Sequence, residues 1–122
     1  DGLPQKAGFP QEHINELHGA WFDPSNPVVH FRAEIRPALF EWLLDVETRV
    51  DLTLAIGTSL CDTPSTADRL VLTPARDAAR LGAVIVSFQK TRCDHLAALR
   101  FYSRIDEVFG KVAQRVDGAR RR

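Results

Sequence analysis

The sequence predicts a three-layer α/β domain built on a mainly parallel sheet. Short β-branched apolar runs alternate with segments of helical period, the order that parallel strands joined by helical crossovers produce. The run Leu52-Thr53-Leu54-Ala55-Ile56 shows little polar alternation, as expected of a strand buried on both faces. The chain has 122 residues, 44% hydrophobic and 26% charged, which suits one globular domain and disfavours disorder throughout.

Residues 1–27 are loop-rich. Gly2, Pro4, Gly8 and Pro10 punctuate the start, and Asp23-Pro24-Ser25-Asn26-Pro27 reads as a turn cluster. Between them Ile14–Leu17 is a candidate short strand. Val28–Phe31 is a better one, being β-branched and aromatic. From Pro37 the period changes: Leu39, Trp42, Leu43, Val46 and Val50 form one helical apolar stripe. The strand Leu52–Ile56 ends at Gly57-Thr58-Ser59. Thr73-Pro74 supplies an N-cap and a first helical position, and Gly82 a C-terminal stop. Ala83–Val86 is a second buried strand, and Leu96–Tyr102 supplies a third. Ser103-Arg104-Ile105-Asp106 has capping-box form, with aspartate replacing glutamate, and opens a last helix through Val116. So few strands, together with the absence of any methionine and a start at Asp1, lead to the expectation that an N-terminal half is missing.

Charge and cysteine usage narrow the function classes. Sixteen Lys and Arg balance 16 Asp and Glu. The only dense basic cluster, Arg120-Arg121-Arg122, reads as a solvated tail over 117–122, so no nucleic-acid partner is expected. No apolar run approaches the roughly 18 residues of a membrane-spanning helix, and no positive-then-apolar leader is expected within these residues. Cys61 and Cys93 are separated by 31 intervening residues without a CxxC pair, which excludes a four-cysteine zinc ribbon. Spacing alone leaves a disulfide open, but two free thiols in a reducing, intracellular compartment is the expectation.

Ligands of open α/β sheets bind at the carboxyl ends of strands. Gly57 permits close backbone approach there, and Thr58 and Ser59 offer hydroxyls and amides to a phosphate or ribose. An ordinary strand-end turn has the same composition. Ser87 and Gln89, after the second buried strand, are placed to hydrogen-bond a sugar or simply to be solvated. The start of the last helix carries unpaired N–H groups, as every helix start does. Of the four histidines His13, His18, His30 and His95, His18 lies between Leu17 and Gly19 and is either a general base or a packed residue.

In combination these stretches resemble the sirtuin family. Asp1-Gly2-Leu3, Ala7-Gly8 and Glu16-Leu17-His18-Gly19 are similar to its N-x-D-G-L-H-x-x-A-G…E-x-H-G stretch. Pro27-Val28-Val29-x-Phe31 is similar to P-x-V-V-x-F, and Gly57-Thr58-Ser59-Leu60 to G-T-S-L. Val84-Ile85-Val86-Ser87 to Thr91 stands where that family has I-I-N-x-E-x-T, and Asp106-Glu107-Val108 matches D-E-V. Six motifs thus follow in order over residues 1 to 116, the stretch read as the C-terminal portion of a Rossmann-like catalytic domain.

The resemblance implies an NAD-dependent protein deacylase, in which an acyl-lysine oxygen attacks the nicotinamide ribose as nicotinamide leaves. It implies His18 as general base on a ribose hydroxyl and Asp1 in the nicotinamide pocket. Gly57, Thr58 and Ser59 would contact the phosphate and ribose of NAD, Ser87 would replace the ribose-binding asparagine, and Ile105 would lie beside adenine through its backbone. Val28, Val29 and Phe31 would line the channel of an acylated-lysine peptide or protein substrate. The family's zinc ribbon has no room here: the interval is Ala20 to Asn26, seven residues without cysteine, so no zinc is expected. Pro4 replaces the motif histidine, and Arg32-Ala33 replaces the usual glycine-glutamate. The glycine-rich phosphate loop that sirtuins place upstream is not in these residues, so weak or no catalysis by the chain alone is expected, with exposed sheet edges and apolar surface. The alternatives are a non-catalytic NAD or ADP-ribose-binding module, an NAD hydrolase or ADP-ribosyltransferase relative, and an unrelated α/β domain.

Overall fold

The computed structural model describes residues 2–30, 33–60 and 66–121. The chain divides into two compact units, Asp1–Thr48 and Arg49–Arg122.

The first unit carries a short helix α1 (Leu3–Lys6), a 3-10 turn (Gln11–His13) and helix α2 (Pro37–Arg49). Helix α2 starts at the expected proline, and of its apolar stripe Leu43 is buried. Val50, the last residue of the predicted stripe, lies just beyond it. Ile14–Leu17 is not a strand. It runs from the 3-10 turn into a turn closed by the Gly19 N–H donating to the Glu16 carbonyl at 2.9 Å. Val28–His30 is not a strand either, and Phe31, the end of that candidate, lies outside the described residues. A β-rich stretch becomes a strand only beside another strand. Here Pro27 lacks an N–H, and the Val29 N–H donates across a loop to the His18 carbonyl at 2.9 Å.

The second unit holds β1 (Leu52–Ile56), α3 (Arg69–Arg76), β2 (Gly82–Val86), β3 (Leu99–Phe101) and α4 (Ile105–Arg120). The strands form a parallel sheet in the order β1-β2-β3. Register pairs Leu54 with Val84 and Val84 with Leu99. The α/β class and parallel sheet agree with the sequence. The core gathers Ala55, Leu60, Val71, Ala83, Ile85 and Cys93, with Leu72 and Ala75 of α3 packed against it. Cys93 is a free thiol. Burial foremost, then the Asp68 carboxylate, pushes its pKa up. Cys61 lies outside the described residues.

Strand β1 is not buried on both faces. Thr53 and Ala55 face α3, whereas Leu52, Leu54 and Ile56 are 42%, 47% and 40% exposed. Parity along the parallel ladder puts Val86, Leu99 and Phe101 on that same face, which is closed at Val86, 1% exposed, and open at the two flanking strands. An unbroken apolar run therefore arises here with only one face covered.

Helix α3 corrects a second expectation. It begins after Asp68, not at Thr73, and Pro74 lies inside it. Proline has no N–H to return to the carbonyl four residues back. That carbonyl, on Leu70, instead accepts the Thr53 hydroxyl of the neighbouring strand. Gly82 is not a helix stop: α3 ends at Arg76, and Gly82 opens β2 at φ +95°. Thr53→Val keeps the side-chain shape but orphans the Leu70 carbonyl. It is expected to lower unfolding stability by about 1–2 kcal/mol, read from the urea midpoint. An unchanged midpoint would show that the helix does not need this bond.

Helix α4 starts at Ile105 and continues past Val116 to Arg120. Ser103 does not form the expected capping box. Arg104 occupies the N-cap without a side-chain cap, and the Ser103 hydroxyl donates to Glu107 Oε2 at 2.9 Å. No helix among the described residues is long and apolar enough to cross a membrane.

Candidate functional site

Three chain segments meet at the carboxyl end of the sheet. Gly57, Thr58 and Ser59 follow β1, Ser87, Phe88 and Gln89 follow β2, and Ser103 to Asp106 open α4. Together they line a cleft of about 590 Å³, within the ~300–1,000 Å³ of small-molecule sites. Crossover topology brings them together, because parallel strands release their following loops at one end of the sheet.

Gly57 adopts φ +63° and donates its N–H to the Val86 carbonyl at 3.1 Å. A Cβ there would lie 3.3 Å from Ile105 Cδ1, so a side chain would crowd the space beside Ile105. Thr58 Oγ1 accepts the Leu60 N–H at 3.2 Å, which folds the turn back on itself. Ser87 donates its N–H to the Phe101 carbonyl at 3.1 Å, continuing the β2–β3 pairing into the cleft. Its hydroxyl oxygen accepts the Gln89 N–H at 3.2 Å. The α4 amino end adds helix-dipole charge, moderated by Asp106 and Glu107 in the first turn. Arg104 at the rim pairs with Asp106 at 3.1 Å. The cleft is rich in donors and partly apolar: hydroxyls and amides on two walls, Ile105 on the third.

His18 belongs to the first unit. It sits in the turn before Gly19, and its Nδ1 is buried without a hydrogen-bond partner among the described residues. Gly19 has φ +80°, and a Cβ there would lie 2.3 Å from the Pro27 carbonyl oxygen. The seven-residue interval Ala20–Asn26 closes by its own bonds. The Ala20 N–H donates to the Asn26 carbonyl at 2.9 Å, and Asn26 Nδ2 to the Glu16 carbonyl at 3.1 Å. Asp23 accepts the Ser25 hydroxyl at 2.6 Å and its N–H at 2.9 Å. Those bonds hold the Asp23 carboxyl below its ordinary pKa. Arg36 donates to Asn26 Oδ1 at 2.6 Å and also to the Pro27 carbonyl.

The structure therefore brings Gly57, Thr58, Ser59, Ser87 and Ile105 together in one unit, and His18 and Val29 together in the other. Val28 is exposed. Asp1 and Phe31 lie outside the described residues. Sequence reasoning missed Phe88, Arg104 and, behind the cleft, the Asp94–Arg100–Tyr102 cluster. A charged residue between Leu99 and Phe101 was the available signal, because a strand arginine is buried only with a partner.

No protein-family model matches the sequence. Solved structures do. A structure of Sir2Tm bound to a propionylated peptide superposes with TM-score 0.75 and 21% identity, covering 95% of this chain and 60% of that one. A Sir2 structure with the inhibitor EX-527, 2'-O-acetyl-ADP-ribose and a deacetylated p53 peptide gives TM-score 0.63 and 22% identity over 75% of this chain and 39% of that one. A Sir2 complex with p53 peptide and NAD+ gives TM-score 0.61 and 24% identity over 78% and 40%. The chain spans less than two thirds of each of these proteins. Its architecture is the fold of the Sir2, or sirtuin, structures.

Proposed function

We propose that these residues are the C-terminal portion of the catalytic domain of a zinc-free, sirtuin-type NAD-dependent protein deacylase. The observation that carries this reading is the convergence of Gly57–Ser59, Ser87 and Ile105 on one cleft. The similar Sir2 structures hold NAD+, acetyl-ADP-ribose and acylated or deacylated peptides, which supports a nucleotide there and an acyl-lysine substrate.

In this reading Gly57 admits the backbone to the phosphates. Thr58 and Ser59 bond phosphate and ribose, Ser87 bonds the adenine ribose, and Ile105 packs beside adenine. NAD supplies the ribosyl electrophile and its nicotinamide leaving group. His18 removes a proton from a ribose hydroxyl as general base. Asp1 belongs to the nicotinamide pocket, and Val28, Val29 and Phe31 to the acyl-lysine channel.

Calorimetric titration of the chain with ADP-ribose tests the reading. Saturable binding with a Kd on the order of 10–100 μM is expected, about 5.5–7 kcal/mol. Gly57→Val should abolish it by filling the space beside Ile105. NAD with an acetyl-lysine peptide should give weak or no nicotinamide release from this chain alone. In a longer protein carrying the upstream phosphate loop, O-acyl-ADP-ribose should form and His18→Ala should eliminate it. Binding without turnover in that longer protein would leave a nucleotide-binding module. Absence of ADP-ribose binding would sink both.

A further inference from the structure

Behind the cleft, one guanidinium holds the loop that forms its second wall. Arg100 lies in the middle of β3 with its side chain only 11% exposed. Its Nε donates to Asp94 Oδ1 at 2.7 Å. Its Nη1 donates to the carbonyls of Ser87 at 2.9 Å and Phe101 at 2.6 Å, with a longer contact to Ile85 at 3.4 Å. Its Nη2 donates to the Gln89 carbonyl. The Tyr102 ring covers the guanidinium, 3.9 Å from carbon to centroid.

Asp94 anchors this arrangement. It accepts the Thr91 hydroxyl at 2.6 Å, the Thr91 N–H at 3.0 Å and the Tyr102 hydroxyl at 2.8 Å. Each polar atom of the guanidinium is thus satisfied, and the direction of its fork is set from the other side. Ser87 and Gln89 both line the cleft, and their carbonyls are held by the same planar group. An apolar residue at this strand position would avoid desolvating a charge. It would take the fork away from both carbonyls and leave that of Gln89 only the Ser87 hydroxyl at 3.4 Å.

We propose that Arg100 is a positioning residue for the cleft, fixing the Ser87–Gln89 wall at the spacing that receives the ribose of an adenine nucleotide. This inference rests on the nucleotide reading above. Arg100 does not reach the ligand; it acts through Ser87 and Gln89. Lysine would preserve the charge but lose the fork, which is what gathers several carbonyls at once.

The test uses the 122-residue chain and the variants Arg100→Lys, Ser87→Ala and the double substitution. In the ligand-free chain, Arg100→Lys should speed amide hydrogen exchange at Ser87 and Gln89 by about tenfold or more, while Val84 and Ile85 in the β2 interior stay protected. ADP-ribose affinity should fall by about tenfold. Ser87→Ala should weaken binding in the wild type but add little in the Arg100→Lys background, because residues that act through one contact are non-additive. Tyr102→Phe, at an exposed ring, removes one bond to Asp94 and should shift both readouts the same way by a smaller factor.

Wild-type exchange at Ser87 and Gln89 together with unchanged affinity would overturn the positioning role. So would equal acceleration at Ile85, since it would mean general loosening. Failure of the wild type to bind ADP-ribose overturns the nucleotide reading and the ribose role with it. The exchange data then show separately whether the clasp exists.

Discussion

Gly19→Ala is expected to destabilise the first unit by about 3 kcal/mol or more. Two separate costs add. At φ +80° an alanine carries left-handed strain, roughly 1–2 kcal/mol. Its methyl would also lie 2.3 Å from the Pro27 carbonyl oxygen and 2.7 Å from that of Asn26, both backbone atoms in a turn tied by the Ala20–Asn26 and Arg36 bonds. The turn must open, and with it the bond from Val29 to the His18 carbonyl. Gly8 is the control. It has the same φ of +80° but nothing within 4 Å of where a Cβ would lie, so Gly8→Ala should cost only the backbone strain, roughly 1–2 kcal/mol. Both tryptophans, Trp21 and Trp42, belong to the first unit, so fluorescence during urea unfolding reads that unit selectively. Equal midpoint shifts for the two variants would refute the close packing at Gly19.

Asp94→Asn is expected to cost the second unit about 2–3 kcal/mol. Asp94 and Arg100 have side chains only 12% and 11% exposed, joined at 2.7 Å. The asparagine leaves the guanidinium without its counter-charge. Burial on its own would raise the Asp94 pKa. The hydrogen bonds from Thr91, Tyr102 and Arg100 outweigh it and hold the carboxyl far below the usual carboxylate range.

The sign of the pH dependence follows. A depressed carboxyl stabilises the fold above its unfolded pKa of about 3.9, and that contribution is lost as pH falls toward the folded value. Tyr102 behaves oppositely: its hydrogen bond to Asp94, then burial, raises its pKa. Its contribution is complete below its unfolded pKa of about 10 and fades as pH rises through the folded one. The cluster thus stabilises most between about pH 4 and 10. Tyr102 is the only tyrosine, so the absorbance of its phenolate gives a clean titration. In Asp94→Asn that titration should move down toward the ordinary tyrosine value. An unmoved curve would mean that the phenol does not donate to Asp94.

The elements written in local pattern were legible. Helix α2 has its opening proline and one apolar stripe, and β1 and β2 have short apolar runs with little polar alternation. The cleft's segments, Gly57–Ser59, Ser87 with Gln89 and the start of α4, were legible because strand ends and a helix start are local features that the parallel topology then collects; Ile105 itself was singled out only by the resemblance. What misled was local pattern whose meaning lay elsewhere. Thr73-Pro74 has the form of a helix start. Pro74 instead sits inside α3, where the carbonyl it leaves unbonded finds the Thr53 hydroxyl from a strand some 17 positions away. Ile14–Leu17 and Val28–His30 have strand composition but no ladder neighbour among the described residues.

From its residues alone this chain declares an α/β order, a parallel sheet and a run of motifs similar to those of sirtuins. These depend on composition and short-range spacing, which a linear sequence carries in full. Tertiary structure decided which sheet face is covered, that Gly19 presses against the Pro27 backbone, and that Arg100 reaches from β3 to the Ser87–Gln89 loop. Each depends on groups brought within a few ångströms through space. A buried charge, a carbonyl left by proline and an αL glycine acquire their meaning only from those neighbours.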